Sequence, residues 1–262
     1  MSKPAPLSEK LAIVTGGGRG IGRAVAMALA ARGADLILLG RTERSLKTTA
    51  VDIRNQSDAT VRVRTLDVTD GDAVDAVFSD LIAEIGPPSI LINNAGGAES
   101  VPFTILDRDN WDTTIALNLT SVYACTHAVL PAMIEAGHGR IVNIASTAGL
   151  EGFPYVAAYC AAKHGVVGLT RSLALEVATK GINVNAVCPG YTDTEMLQEA
   201  IRNIAAKTDR SEAEARDDLA AANAGGRLVK PEEVAEMVAA LCGPAANSMT
   251  GEVIEITGAE DG

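Results

Sequence analysis

The chain has 262 residues, 47% of them hydrophobic, with 25 glycines and a formal net charge of −11. That length suits one large α/β domain with a substantial core, and the acidic balance argues against non-specific binding to nucleic acid or to an anionic membrane surface. Cys125, Cys160, Cys188 and Cys242 are scattered with no C-x-x-C pair, and His127, His138 and His164 have no ligand spacing, so neither a metal site nor a disulfide framework is expected, and reduced thiols of a cytoplasmic protein are the plain reading.

The first ten residues, MSKPAPLSEK, carry two prolines and no apolar run, and they predict no signal peptide. No stretch approaches the length of a membrane span. The first strand, LAIVT (11–15), runs into GGGRGIG and then a helical segment. Gly16, Gly20 and Gly22 in that turn permit a tight bend and a close approach to a pyrophosphate, whose charge a helix N-terminus favours. The second strand, DLILLG (35–40), ends at Arg41 and Thr42 with no carboxylate, where an NAD site wants one for the ribose 2′-hydroxyl. Arg41 and Arg19 would instead form a cationic clamp for a 2′-phosphate. NADP(H) is therefore favoured as cofactor, with NAD(H) left open. The competing role for Arg41 is a solvent-exposed turn residue paired with Glu43.

Further β-branched runs follow at VRVRTL (61–66), SILINN (89–94), GRIVNIA (139–145), INVNAV (182–187) and EVIEI (252–256). Helix-period segments such as DAVDAVFSDLIAEIG and PEEVAEMVAALCG separate them. Seven strands alternating with helices predict one Rossmann-type α/β domain, with a seven-stranded, mostly parallel sheet covered on both faces. Residues 191–229 contain no strand. They read as two polar amphipathic helices joined near Thr208–Ser211, with Ser211 capping the second, and a long insertion there suits a substrate lid.

Tyr159 and Lys163 stand four residues apart in a helix-forming stretch, so they share one face. No other tyrosine has a lysine at that offset. A carbonyl substrate needs hydride on carbon and a proton on oxygen, and an ammonium one turn away, together with a cationic oxidised nicotinamide, would lower the pKa of a phenol toward that task.

With TGGGRGIG (15–22), LDV (66–68), NNAG (93–96), NLT (118–120), IVNIAS (141–146), YCAAK (159–163) and CPG (188–190) followed by Thr194, all in order, the sequence resembles the classical short-chain dehydrogenase/reductase family over residues 10–257. The resemblance implies that Asn118, Ser146, Tyr159 and Lys163 are the catalytic tetrad. Ser146 would bind the substrate oxygen, Lys163 the nicotinamide ribose, and Asn118 a water linking Lys163 to solvent. It implies that Gly16, Arg19, Gly20, Ile21, Gly22 and Arg41 hold the phosphates, Asp67 and Val68 the adenine, Asn94, Ala95 and Gly96 the ribose side, and Pro189, Gly190, Thr192 and Thr194 the nicotinamide end.

GLEGFPYVAAYCAAKHG and the lid's end, GRLVKPEEVA, look most like bacterial enzymes of 3-oxoacyl and 3-hydroxyacyl thioesters. The implied substrate is therefore a small molecule, an acyl-CoA or carrier-protein thioester, with Arg202, Lys207 and Arg210 on the lid open to its phosphates or to surface ion pairs. Small residues at Gly97, Ala98, Ala148 and Gly149 leave room for it. The family commonly forms homotetramers, although ITGAEDG departs from its usual C-terminal Asp-Gly-Gly turn. Rival readings are an alcohol or steroid/xenobiotic ketone dehydrogenase with the same tetrad, and a non-catalytic NADP(H) sensor.

Overall fold

The computed structural model describes residues 5–259. Seven strands form one sheet: β1 (Leu11–Thr15), β2 (Asp35–Gly40), β3 (Val61–Thr65), β4 (Ile90–Asn93), β5 (Gly139–Ile144), β6 (Ile182–Pro189) and β7 (Val253–Ile256), in the order β3-β2-β1-β4-β5-β6-β7. Every pairing is parallel, and Val14 lies between Leu38 and Ile92 in the register. The strand order reverses between β1 and β4. Their carboxyl ends therefore diverge there, the place where open α/β sheets leave a crevice for a ligand.

Nine α-helices are described: α1 (Gly20–Ala31), α2 (Glu43–Arg54), α3 (Gly71–Ile85), α4 (Arg108–Ile115), α5 (Ser121–Ala136), α6 (Ala157–Val177), α7 (Glu195–Lys207), α8 (Glu212–Ala221) and α9 (Pro231–Cys242). Alternation along each strand divides the core into two layers. Val14, Leu36, Leu38 and Ile92 pack with α1, α2 and α9 on one face, while Ile13, Ile37, Leu39 and Leu91 pack with α3, α5 and α6 on the other. Phe78 of α3 is fully buried there. Each such side chain contributes about 1.5–3 kcal/mol by leaving water. At the β3 edge Arg62 and Arg64 both pair with Glu84 of α3, which keeps charge along an otherwise open strand.

The expectation about membrane-length segments needs correction. α4, a π-helical turn at Ala116–Thr120 and α5 form one helical run, Arg108–Ala136, that is long and apolar enough to cross a membrane by length and composition. Its inward residues Val122, Cys125, Val129 and Met133 are buried in the core, so it packs as a core helix of this domain.

Candidate active site

The glycine turn joins β1 to α1 at the switch point. Gly16 and Gly20 have φ of +65° and +52°, a left-handed backbone that a side chain would strain. At Gly22 the constraint is contact: a Cβ would lie 2.2 Å from the Gly16 carbonyl and 2.4 Å from Asn94 Nδ2. Thr15 fastens this turn to NNAG. Its hydroxyl accepts from the amides of Asn94 and Ala95 at 2.9 and 3.0 Å, and Asn94 Nδ2 donates back to the Thr15 carbonyl at 2.9 Å.

α1 begins at Arg19 with no side-chain cap, whereas Asp70, Asp107 and Ser211 cap α3, α4 and α8. Its first amides and the positive end of its dipole are thus left for an external anion. Tight glycine turn, uncapped amides and the crevice together fit the diphosphate of a dinucleotide. Arg19 and Arg41 are both exposed beside it. Glu43 pairs with Lys47 at 2.7 Å, and the ion pairs among the described residues include none between Arg41 and Glu43. Asp67, after β3, accepts from the Thr69 amide and hydroxyl at 3.0 and 2.8 Å. Those bonds, and more weakly the charge of Arg41, hold its carboxyl below the usual range.

The other half of the crevice lies beyond β4, β5 and β6. Lys163 is buried on α6 and donates from Nζ to the Ile144 carbonyl at 2.7 Å. Its Nζ is 5.6 Å from the Tyr159 ring centroid, which gives the pair the shared helix face expected of their spacing. Asn118 falls in the π-helical turn, fully buried. Its Oδ1 accepts from the Gly97 amide at 3.1 Å, and its Nδ2 donates to the carbonyls of Gly97 and Thr114 at 2.8 and 3.0 Å. A Cβ on Gly96 would lie 2.9 Å from Asn118 Oδ1 and 3.7 Å from Lys163 Nζ, so the three residues converge on one point. Ser146 caps a short 3₁₀ turn after β5 by accepting from the Ala148 amide at 3.1 Å.

Burial pushes the Tyr159 phenol up to about 12, against a downward pull from the neighbouring Ser146 hydroxyl. Burial likewise pushes Lys163 down to about 8. The ammonium of Lys163 is committed to the Ile144 carbonyl. Cys188, fully buried nearby on β6, remains a thiol with its pKa raised to about 11, chiefly by burial.

Past β6, Pro189 and Gly190 lead into the insertion. Thr192 bridges to Val229, Thr194 caps α7, and the Thr194 methyl would be 3.2 Å from a Cβ on Gly20, which brings the start of the insertion against the glycine turn. The two predicted helices are α7 and α8, and Ser211 forms the capping box of α8 with Glu214. Arg210 forms a surface ion pair with Asp218, while Arg202 and Lys207 are exposed. His164 is exposed on α6, with Nδ1 2.9 Å from the Cys160 carbonyl. Asn223 escaped the sequence reading: buried after α8, it accepts from the Tyr191 amide at 2.9 Å and donates to the carbonyls of Tyr191 and Arg227 at 2.9 and 2.7 Å. A lone asparagine in a polar stretch carries no signal of that role.

With this geometry in place, the profile of the short chain dehydrogenase family matches residues 10–205. The chain belongs to the short-chain dehydrogenase family. It is an oxidoreductase with a nicotinamide-dependent fold and site plan. Among curated relatives it is 39% identical over 252 residues to the cis-4-hydroxycyclohexanecarboxylate dehydrogenase of Sinomonas cyclohexanicum, covering 96% of each chain. It is 38% identical over 249 residues to the 3-oxoacyl-(acyl-carrier-protein) reductase FabG of Escherichia coli (strain K12), covering 95% of this chain and 96% of the relative. The crystal structure of an actinorhodin polyketide ketoreductase variant with NADPH superimposes with a TM-score of 0.91 at 39% identity, covering 98% of each chain.

Proposed function

We propose that this short-chain dehydrogenase is an NADP(H)-dependent ketoreductase acting on 3-oxoacyl thioesters. The observation that carries the reading is the convergence of Asn118, Lys163 and Gly96, with Tyr159 and Ser146 alongside, at the carboxyl end of the sheet. Bound NADPH would supply a hydride to the carbonyl carbon. Ser146 donates a hydrogen bond to the carbonyl oxygen as charge develops there. Tyr159 then gives its phenolic proton to that oxygen, which completes the alcohol. A phenol held neutral at physiological pH is loaded for reduction. Lys163, anchored on Ile144, sets the position of the cofactor's ribose beside the phenol, and Asn118 holds the path by which Tyr159 regains a proton.

NADP(H) preference rests on the exposed Arg19 and Arg41 and on the absence of a carboxylate at the turn after β2. The NADPH of the actinorhodin ketoreductase variant supports the same choice. A thioester substrate is favoured by the resemblance to FabG, whereas the room expected beside Ala148 and Gly149 is not there: both are buried, and a Cβ on Gly149 would lie 2.7 Å from the Lys163 carbonyl oxygen. Residues 191–229 act as its lid, with Arg202 and Lys207 facing solvent for the phosphates of a coenzyme A or carrier arm. The exposed Tyr123 and Leu175 on α5 and α6 favour pairing with further copies of the chain.

A second reading, oxidation of a cyclic secondary alcohol, is favoured by the equally similar cis-4-hydroxycyclohexanecarboxylate dehydrogenase. Steady-state oxidation of NADPH and of NADH with acetoacetyl-CoA, beside a cyclic ketone carboxylate, tests both. NADPH-dependent turnover of the thioester is expected. Turnover confined to the cyclic ketone would replace the substrate assignment, and turnover with NADH alone would overturn the cofactor preference.

A further inference from the structure

At the end of the sheet opposite the glycine turn, the segments leading into β1, β5 and β6 border a cavity of about 470 Å³. Lys10, His138 and Arg140 line it with Asn183, Cys242 and Asn247, and among the described residues no Asp or Glu takes part in its wall. Arg140 is only 6% exposed. Its Nη1 donates to the carbonyls of Gly139 and Gly181 at 2.8 and 3.4 Å, and its Nη2 donates to Asn247 Oδ1 at 2.6 Å. Its Nε is buried and has no acceptor. Every acceptor of this guanidinium among the described residues is neutral.

Such an arrangement is costly in isolation. A guanidinium cannot shed its proton to escape burial, so an unpaired one calls for a counter-charge. Burial pushes Arg140 below its ordinary value, and burial followed by the charges of Arg140 and Lys10 pushes His138 down too. Cys242, the remaining titratable group on the wall, is pushed up to about 12 by burial and stays a neutral thiol. Three basic groups from two segments of chain, Lys10 before β1 and His138 with Arg140 at the start of β5, thus face one space with no carboxylate opposing them among the described residues.

We propose that this cavity binds a phosphate-bearing small molecule, the phosphate taking Arg140, Lys10 and His138 as its partners. A phosphate carries more than one negative charge and several acceptor oxygens, which matches three donors better than a single carboxylate does. The cavity has room beyond the phosphate for an attached organic group. The inference is independent of the proposed reaction, since the tetrad lies at the other end of the sheet.

Calorimetric titration with inorganic phosphate and, in parallel, with glycerol 3-phosphate at constant ionic strength measures the affinity. A selenate soak of crystals locates the anion, separating this cavity from the nucleotide end. Saturable binding near about 1 mM is expected, with anomalous density against Arg140. Lys10→Ala should weaken it by about tenfold, the scale of one charged hydrogen bond. Lys10→Glu, which brings a carboxylate to the empty place, should abolish it while circular dichroism and turnover stay unchanged. Tighter binding of the ester would mark a metabolite site, and equal binding a free-phosphate site. No anomalous density at Arg140, or titrations that Lys10→Glu leaves unchanged, would overturn the proposal.

Discussion

Lys163 donates to the Ile144 carbonyl at 2.7 Å, so the ammonium carried by α6 is tied to the last residue of β5, two positions before Ser146. One hydrogen bond thereby fixes the helix bearing Tyr159 against the strand bearing Ser146. The lysine is buried with no carboxylate partner among the described residues, so it costs stability while it sets geometry. Lys163→Met should consequently lower kcat/KM by about 10³-fold, within the range of a lost proton-transfer and positioning group. Thermal stability should hold or rise. Steady-state kinetics beside a melting curve check this, and a variant that melts earlier yet turns over normally would contradict it.

The same burial gives a pH signature. Lys163 is lowered from 10.5 to about 8 in the fold, so between those values the unfolded chain binds the proton that the folded chain has released. Stability should therefore rise with pH across that window. Tyr159 is raised from 10.0 to about 12, so its contribution is fully present below 10 and is lost as pH climbs through 12. Urea midpoints of wild type and Lys163→Met at pH values either side of the window test the first sign. The ultraviolet phenolate difference between cofactor-free wild type and Tyr159→Phe tests the second, with no Tyr159 phenolate expected at pH 10.

Tyr159→Phe also separates chemistry from binding. It removes only the hydroxyl from a half-buried ring, so the cofactor site stays intact. Turnover should drop by at least about 10³-fold, while NADPH fluorescence titration gives a nearly unchanged dissociation constant. Retained turnover would remove Tyr159 from the proton-transfer role.

At the other end of the crevice, Gly22→Ala should fail for steric reasons. The added methyl would lie 2.2 Å from the Gly16 carbonyl and 2.4 Å from Asn94 Nδ2, both parts of the braced turn. Forcing that contact apart costs about 1–3 kcal/mol. It also moves the amides at the start of α1. A lower melting temperature together with loss of dinucleotide binding is expected, and normal binding would show that the turn can yield.

Much of this was legible in the sequence because the relevant signals are local. All seven strands announced themselves as short β-branched runs, the glycine turn by its spacing, and the lid helices by amphipathic period with Ser211 as a cap. The misses depend on tertiary contacts. The 29-residue helical run Arg108–Ala136 was hidden because Asn118 and its neighbours interrupt the apolar pattern, while a π-helical turn carries the helix through them. The burial that raises the Tyr159 phenol was not legible because an i, i+4 spacing specifies proximity but not desolvation. Asn223 and Thr15 brace site loops through bonds between residues 32 and 79 positions apart, which no window of sequence contains.

Cofactor choice gives the last test. Arg41 is exposed at the end of β2 and near enough to Asp67 to help hold that carboxyl ionised. Arg41→Asp removes the cation that would meet a 2′-phosphate and offers an acceptor to a ribose 2′-hydroxyl instead. It also puts a second carboxylate beside Asp67, so a 2′-phosphate would meet repulsion as well as a missing partner. The ratio of kcat/KM for NADPH to that for NADH should fall by about 10²-fold, the scale of one lost charge-assisted contact and one new repulsion. Arg41→Lys, which keeps the charge but loses the fork, should fall between the two. A ratio unchanged in Arg41→Asp would leave Arg19 as the sole cation on the 2′-phosphate.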